Sequence, residues 1–199
     1  MSRKLHIVMP GGSGQVGTIL ARHLHAQGHH VTVLARNKRT APWQVIVWNG
    51  TSLGDWAATL DGADVLINLS GRSVNCRYTI KNRNEIKESR TATTNLLGRA
   101  LSQLAHPPRL WMNSSTATIY RHSLDLPMDE ATGEIGGKER DIPSTWRFTI
   151  DVATGWEQSF FSANAQHPQD RSSQRHDHEP EPGRRLRSVA SLSEVRVGR

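Results

Sequence analysis

A parallel α/β sheet with helices on both faces is the fold class that the sequence predicts. Five short apolar segments alternate with longer amphipathic segments between residues 5 and 161, and a glycine-rich turn follows the first of them. Alternation of this kind favours parallel pairing, because two parallel strands must be joined by a crossover long enough to hold a helix. The pattern stops near residue 166. The sheet is therefore predicted to be incomplete at its C-terminal side.

The first predicted strand, Leu5–Met9, leads into a turn of seven residues: Gly11, Gly12, Ser13, Gly14, Gln15, Val16 and Gly17. Its glycines match G-x-G-x-x-G, the spacing with which a Rossmann-type strand-turn-helix unit lays a dinucleotide pyrophosphate on a helix N-terminus. One glycine is expected to make the tight turn and another to let backbone N–H groups approach the phosphates. Gly17 is expected to let the helix pack closely on the strand. A glycine-rich loop without a nucleotide is the alternative.

The first helix is predicted to extend from this turn to Gln27, with Gly28 as its C-terminal cap. Its apolar residues recur at helical spacing and are expected to face the core: Val16, Ile19, Leu20 and Leu24.

The second strand, residues 31–35, ends at Arg36, and Lys38 and Arg39 follow. An acidic residue at this place would bind the ribose 2′-hydroxyl of NAD, whereas a basic residue accommodates the 2′-phosphate of NADP. Arg36 therefore favours NADP over NAD. A solvated basic turn, which leaves the preference open, is the alternative.

The third strand is predicted at residues 45–48, followed by a helix that Ser52 caps, and the fourth strand at residues 65–69. Ligands of parallel sheets bind at the carboxyl ends of the strands. The end of the fourth strand is formed by Asn68, Leu69, Ser70 and Gly71. We expect their backbone beside the cofactor, with a plain strand-to-loop turn as the alternative.

A basic stretch from Arg72 to Arg90 either receives substrate phosphates or is a solvated loop and helix start. A long helix is predicted next, ended by His106-Pro107-Pro108. The fifth strand, residues 110–115, and a helix-like segment around Phe148–Phe161 complete the pattern.

With these segments in place, the chain resembles the extended short-chain dehydrogenases/reductases, in particular the nucleoside-diphosphate-sugar epimerase-like branch of the epimerase/dehydratase family. The resemblance rests on Gly11–Gly17, residues 61–71, Glu85-Ile86 with Ser89-Arg90, residues 114–120 and Trp156-Glu157. It covers residues 4 to about 166.

The resemblance implies a catalytic tyrosine, a lysine four residues later and an orienting Ser or Thr. Thr116 matches the Ser/Thr position, with Ser115 beside it, but Thr149 and Ala153 stand where the tyrosine and the lysine belong. Tyr120 is a possible substitute, although packing is the interpretation that we prefer for it. The resemblance implies oxidation or epimerisation at a hydroxyl of a sugar nucleotide or similar polar substrate. Because the pair is missing, a non-catalytic NADP(H)-binding or sensing protein is the alternative.

Composition narrows the class of protein further. The net charge of the 199 residues is +7, but much of the arginine lies beyond Pro168, so no nucleic-acid partner is predicted. A single cysteine, Cys76, suits a reducing cytoplasm, and no apolar run is long enough to span a membrane.

Residues 1–166 are predicted to form the NAD(P)-binding domain and residues 167–199 a basic tail. The cluster His176-Asp177-His178 lacks a second ligand pair, so no metal site is predicted. The tail is expected to be either disordered or a frameshift product. Back-translated and read one nucleotide later, Asp170–Val189 can spell IALRSAMTMSPNPGGVFEAL, which resembles the family's next strand and loop.

Overall fold

The computed structural model describes residues 3–124, 126–129 and 131–164. The predicted tail, residues 167–199, lies outside the described residues, as does the histidine cluster within it. Within the described residues, no helix combines the length and the apolar content that crossing a membrane requires.

Five parallel strands form one sheet in the order β3-β2-β1-β4-β5. They are β1 (His6–Pro10), β2 (His30–Ala35), β3 (Gln44–Val47), β4 (Val65–Asn68) and β5 (Leu110–Asn113). The helices are α1 (Gln15–Ala26), α2 (Ile80–Leu101) and α3 (Ser144–Asn164), with 3₁₀ helices at Asp55–Leu60 and Ala117–Ile119. This is the Rossmann-type order for the first five strands, and it confirms the predicted fold class.

The two faces of the sheet are covered by different elements, because side chains alternate along each strand. On β1, Ile7 and Met9 pack with α1, whereas Val8 packs with the first 3₁₀ helix, α2 and α3. Gly98 of α2 allows the close approach of α3, because a Cβ there would lie 2.5 Å from the Cβ of Ala163.

The buried stripe of α1 agrees with the predicted one in part, since Leu20 and Leu24 pack against the core as expected. Val16 and Ile19 are 46% and 53% exposed, while Gly17 and Ala21 are buried. The start of the helix turns Gly17 inward because this residue lies against Gly12 of the glycine turn. Gly28 follows the helix with a φ of +85°, which agrees with its predicted capping role.

Two predicted helix boundaries are wrong. Gly54, not Ser52, is the N-cap of the first 3₁₀ helix, and the Ser52 hydroxyl instead accepts a hydrogen bond from Asn49. The long helix ends at Leu101 rather than near Pro107. The chain leaves the helix early because His106 exchanges hydrogen bonds with the Asp61-Gly62 turn.

Folding stability is expected to fall on mild acidification because of His6 on β1. Burial lowers the pKa of His6 below its ordinary value of 6.5, nearby His30 lowers it further, and Asp64 opposes the shift. The unfolded chain therefore takes up the proton at a higher pH than the folded chain does. The contribution of His6 to folding stability is fully present above pH 6.5. This contribution is lost as the pH falls from there through the folded-state pKa of His6. Asp64, whose pKa is lowered from 3.8 chiefly by the backbone N–H of His6, acts only at lower pH.

This expectation is checked by urea unfolding on both sides of pH 6.5. His6→Gln should flatten the dependence, whereas His23→Gln, at an exposed position of α1, should leave it in place. An unchanged slope in the His6 variant would contradict the assignment.

Candidate functional site

The glycine turn joins β1 to α1 and lies against the end of β4. Gly11 adopts a φ of +74°, a conformation that L side chains rarely adopt. Its N–H donates to the Leu34 carbonyl at 2.9 Å, and the Gly12 N–H donates to the Met9 carbonyl at 3.0 Å. A Cβ on Gly11 would lie 2.7 Å from the backbone of Leu69. The turn and the carboxyl end of β4 therefore form one continuous surface.

Gly17 and Gly14 have different reasons to lack a side chain. A Cβ on Gly17 would lie 2.4 Å from the Cα of Gly12, so this glycine packs α1 on the turn rather than on the strand itself. A Cβ on Gly14 would meet only the Gly11 carbonyl oxygen, at 3.6 Å. Gly14 thus leaves open the space above the N-terminus of α1, where it stands as the N-cap without a side-chain hydrogen bond.

The N-terminus of α1 suits an anionic group. A helix N-terminus offers backbone N–H groups and a positive dipole end, and the first turn of α1 holds no acidic residue that would compete.

Ser70 marks the neighbouring strand end as polar and unsatisfied. It is 7% exposed, and its hydroxyl oxygen has no hydrogen-bond partner among the described residues. Its backbone N–H, in contrast, donates to the Asn68 side chain at 3.1 Å. An orphaned hydroxyl beside an open glycine cradle fits a ligand that carries hydrogen-bonding groups along the carboxyl ends of β1 and β4.

Arg36 borders a recess at the carboxyl ends of β2 and β3. The recess has a volume of about 720 Å³, and its lining includes Trp48, Leu53 and Trp56. An apolar recess with a cation at its edge can hold a flat base next to a phosphate. Arg39 was not predicted as a site residue, yet its guanidinium donates to the Ser13 carbonyl at 3.0 Å. The run of cations after β2 was the available signal, but the sequence did not show that one of them reaches the turn.

A buried polar network ties the ends of β4 and β5 to the helices. The Asn68 side-chain amide donates to Asn113 at 2.7 Å and to Thr94 at 3.1 Å. Thr94 also accepts from the indole N–H of Trp156 at 3.1 Å. The network fixes the strand ends on which Ser70 and Ser114 stand.

The three candidate catalytic side chains lie just beyond β5, in different environments. The Ser115 hydroxyl donates to Glu157 at 2.6 Å. Thr116 is the N-cap of the second 3₁₀ helix, and its hydroxyl accepts from the Thr118 N–H at 3.3 Å. Tyr120 is buried and packs with Ile119 and Ala153. The link to Glu157 joins residues 42 positions apart, and no local pattern could have indicated it.

The basic stretch from Arg72 to Arg90 was predicted either to bind substrate phosphates or to form a solvated loop and helix start, and its side chains differ in their surroundings. Three of its side chains are engaged within the protein: Arg72 pairs with Glu85, Arg83 lies over Phe148, and Arg90 lies over Trp156. Burial lowers the pKa of Arg90, and the Tyr78 phenol opposes that shift. Arg77, Lys81 and Lys87 are exposed. A role in binding substrate phosphates stays a prediction for them.

The described part of the chain holds no group of three or more His, Cys, Asp or Glu side chains placed to bind a metal ion.

Comparison with known proteins identifies similar chains. The model of the NAD dependent epimerase/dehydratase family matches residues 7–139. The mouse (Mus musculus) epimerase family protein SDR39U1 is 31% identical over 157 residues, which cover 77% of this chain and 48% of the relative. The chain thus spans about half the length of the curated relatives it matches.

Two solved structures show the same architecture. Human SDR39U1 (isoform 2), solved with NADPH, superposes with a TM-score of 0.63 at 29% identity, covering 78% of this chain and 48% of that one. The nucleoside-diphosphate sugar epimerase from Corynebacterium glutamicum gives a TM-score of 0.62 at 25% identity, covering 82% and 32%. The cofactor class predicted from the sequence agrees with the matching family and with the NADPH of the human relative.

Proposed function

This chain belongs to the NAD dependent epimerase/dehydratase family, and from that premise we propose that residues 1–166 form an NADP(H)-binding domain. The proposal is carried by the open space over Gly14 at the N-terminus of α1 and by the orphaned hydroxyl of Ser70, a residue that lies against Gly11 of the same turn. The proposed pyrophosphate site is the turn Gly11–Gly17. The NADPH of the human relative supports the choice of cofactor.

Binding is tested by titrating the protein with NADPH and following nicotinamide fluorescence. We expect saturable binding, tighter for NADPH than for NADH. A chain that is folded by circular dichroism but binds neither nucleotide would overturn the proposal.

The preference for NADPH is assigned to Arg36. Arg36→Asp removes a cation from the 2′-phosphate and puts an anion there, so NADPH binding should weaken by about 10- to 100-fold. NADH binding should change by less than about threefold, because NADH carries no 2′-phosphate. Arg22→Asp, at an exposed position of α1, controls for the change in net charge. Equal losses for both nucleotides would remove Arg36 from the 2′-phosphate site.

We propose further that the domain serves reversible oxidation of a hydroxyl on a sugar nucleotide or a similar polar substrate. The nucleoside-diphosphate sugar epimerase of C. glutamicum supports this class of substrate. A non-catalytic, NADP(H)-sensing protein is the second candidate, favoured by Thr149 and Ala153 at the positions of the tyrosine and lysine. Incubation with NADP⁺ and UDP-glucose separates the two: absorbance of reduced nicotinamide or an epimerised product supports the enzyme, and cofactor binding without either supports the sensor.

A further inference from the structure

Ser115 and Glu157 form a hydrogen-bonded pair that cofactor binding alone does not explain. Ser115 Oγ donates to Glu157 Oε1 at 2.6 Å, and Glu157 is only 9% exposed. None of the ion pairs found among the described residues involves Glu157. Burying a carboxylate without a cationic partner costs free energy. A role in packing alone would be met as well by an uncharged side chain.

The position of Glu157 on α3 connects it with the missing catalytic pair. Thr149, Ala153 and Glu157 follow one another at intervals of four residues, so they share one side of the helix. The Thr149 hydroxyl is engaged with the Trp146 carbonyl at 2.7 Å, and Ala153 is fully buried and carries no functional group. Glu157 is therefore an ionisable group on this side of the helix, one turn beyond the lysine position.

Resting on the proposed NADP(H)-linked oxidation, we propose that Ser115 exchanges the proton of the reaction with the substrate hydroxyl, and that Glu157 is the positioning residue behind it. Because the Ser115 hydroxyl uses its hydrogen in the hydrogen bond to Glu157, the lone pairs of Oγ remain to accept a hydrogen bond. Ser115 therefore selects a donor, namely the hydroxyl of an alcohol.

The proton and electron balance is complete. As the alcohol O–H bond breaks, its proton passes to Ser115 Oγ, and the former Ser115 proton passes to Glu157 Oε1. The hydrogen on the carbinol carbon leaves with its bonding electron pair, and the carbonyl forms. Oxidised nicotinamide, when bound, supplies the acceptor for that hydride. Glu157 then releases its proton to solvent, and carbonyl reduction follows the reverse course.

Other polar groups also border this part of the site. From α2, the Arg90 guanidinium lies 5.2 Å from the ring centroid of Trp156, the residue before Glu157. Directly after the second 3₁₀ helix, Tyr120 packs near Ala153. A pH dependence of the reaction rate must therefore be assigned to Glu157 by substituting this residue, because its place in the fold alone does not distinguish it from these neighbours.

The test compares Glu157→Gln, Ser115→Ala, their double variant and Glu157→Asp. The initial rate of NADP⁺ reduction with UDP-glucose is measured across pH. Gln keeps an oxygen that accepts from Ser115 but cannot take up a proton, so the rate should fall about 100-fold and lose the pH dependence due to the carboxyl group. The double variant should be no slower than either single variant, because the two residues act as one unit. Glu157→Asp should restore part of the rate.

NADPH affinity and urea unfolding are measured in parallel. In Glu157→Gln, NADPH affinity should stay within about twofold of the value for the unsubstituted protein, and the free energy of unfolding within about 0.5 kcal/mol. Asp151→Asn, an exposed carboxylate on the same helix, is the matched control. A Glu157→Gln rate and pH profile equal to those of the unsubstituted protein would overturn the proposal. Absence of NADP⁺-linked turnover in the unsubstituted protein would also overturn it, while saturable NADPH binding would leave the proposed cofactor function standing.

Discussion

Gly17→Ala is expected to lower the free energy of unfolding by about 3 kcal/mol and to abolish NADPH binding. The new Cβ would lie 2.4 Å from the Gly12 Cα and 2.5 Å from its carbonyl oxygen, so backbone must move. Alanine gains at most about 1 kcal/mol over glycine in helix propensity, which is too little to offset the displacement. Urea unfolding and NADPH titration measure the two effects.

Gly14→Ala is the matched control for this variant. Its Cβ would meet only the Gly11 carbonyl oxygen, at 3.6 Å, which is ordinary van der Waals contact. The fold should therefore be retained within about 0.5 kcal/mol. NADPH affinity should still fall, because the methyl group enters the space over α1 where we place the pyrophosphate. A Gly17 variant as stable as the Gly14 variant would show that the turn relaxes freely.

Asn68→Asp is expected to destabilise the protein by about 3 kcal/mol or more at neutral pH. The side-chain amide of Asn68 donates two buried hydrogen bonds, to Asn113 and to Thr94. A carboxylate of the same shape donates neither hydrogen bond. One of its oxygens would face the Asn113 side-chain oxygen at hydrogen-bond distance, and the two oxygens would repel each other. The free energy of unfolding is expected to fall because buried polar groups lose their partners and a charge is buried. The side-chain volume hardly changes, so altered packing does not contribute.

Asn75→Asp provides the comparison, because Asn75 is exposed in the loop before α2. That change should stay within about 0.5 kcal/mol. Both variants are measured by urea unfolding at pH 7, and NADPH affinity is recorded for the folded fraction. Equal stabilities of the two variants would show that the network between β4 and β5 contributes little.

The sequence was sufficient wherever the determining interactions are local. Apolar runs such as residues 31–35 gave the strands, and their alternation with helices gave parallel pairing, because the crossover must be long. The glycine spacing gave the turn, since only glycine readily adopts the φ of +74° at Gly11.

Helix ends and helix faces were less predictable. Proline at residue 107 is compatible with a helix that ends anywhere before it, and the contact of His106 with Asp61 decided the boundary at Leu101. The apolar spacing on α1 identified a helix and half of its inward face, since Leu20 and Leu24 pack against the core. The close contact of Gly17 with Gly12 turned the start of the helix so that Val16 and Ile19 are exposed.

The sequence by itself determined that this chain forms a Rossmann-type sheet with a glycine turn, a basic residue after β2 and neither residue of the Tyr/Lys pair at its usual position. Only the tertiary structure decided which side chains meet: Arg39 with Ser13, Asn68 with Asn113, and Ser115 with Glu157. Periodicity and turn chemistry act over a few residues and can be read along the chain. Contacts between distant residues depend on how the strands and helices pack, and packing fixes them only after those elements have formed.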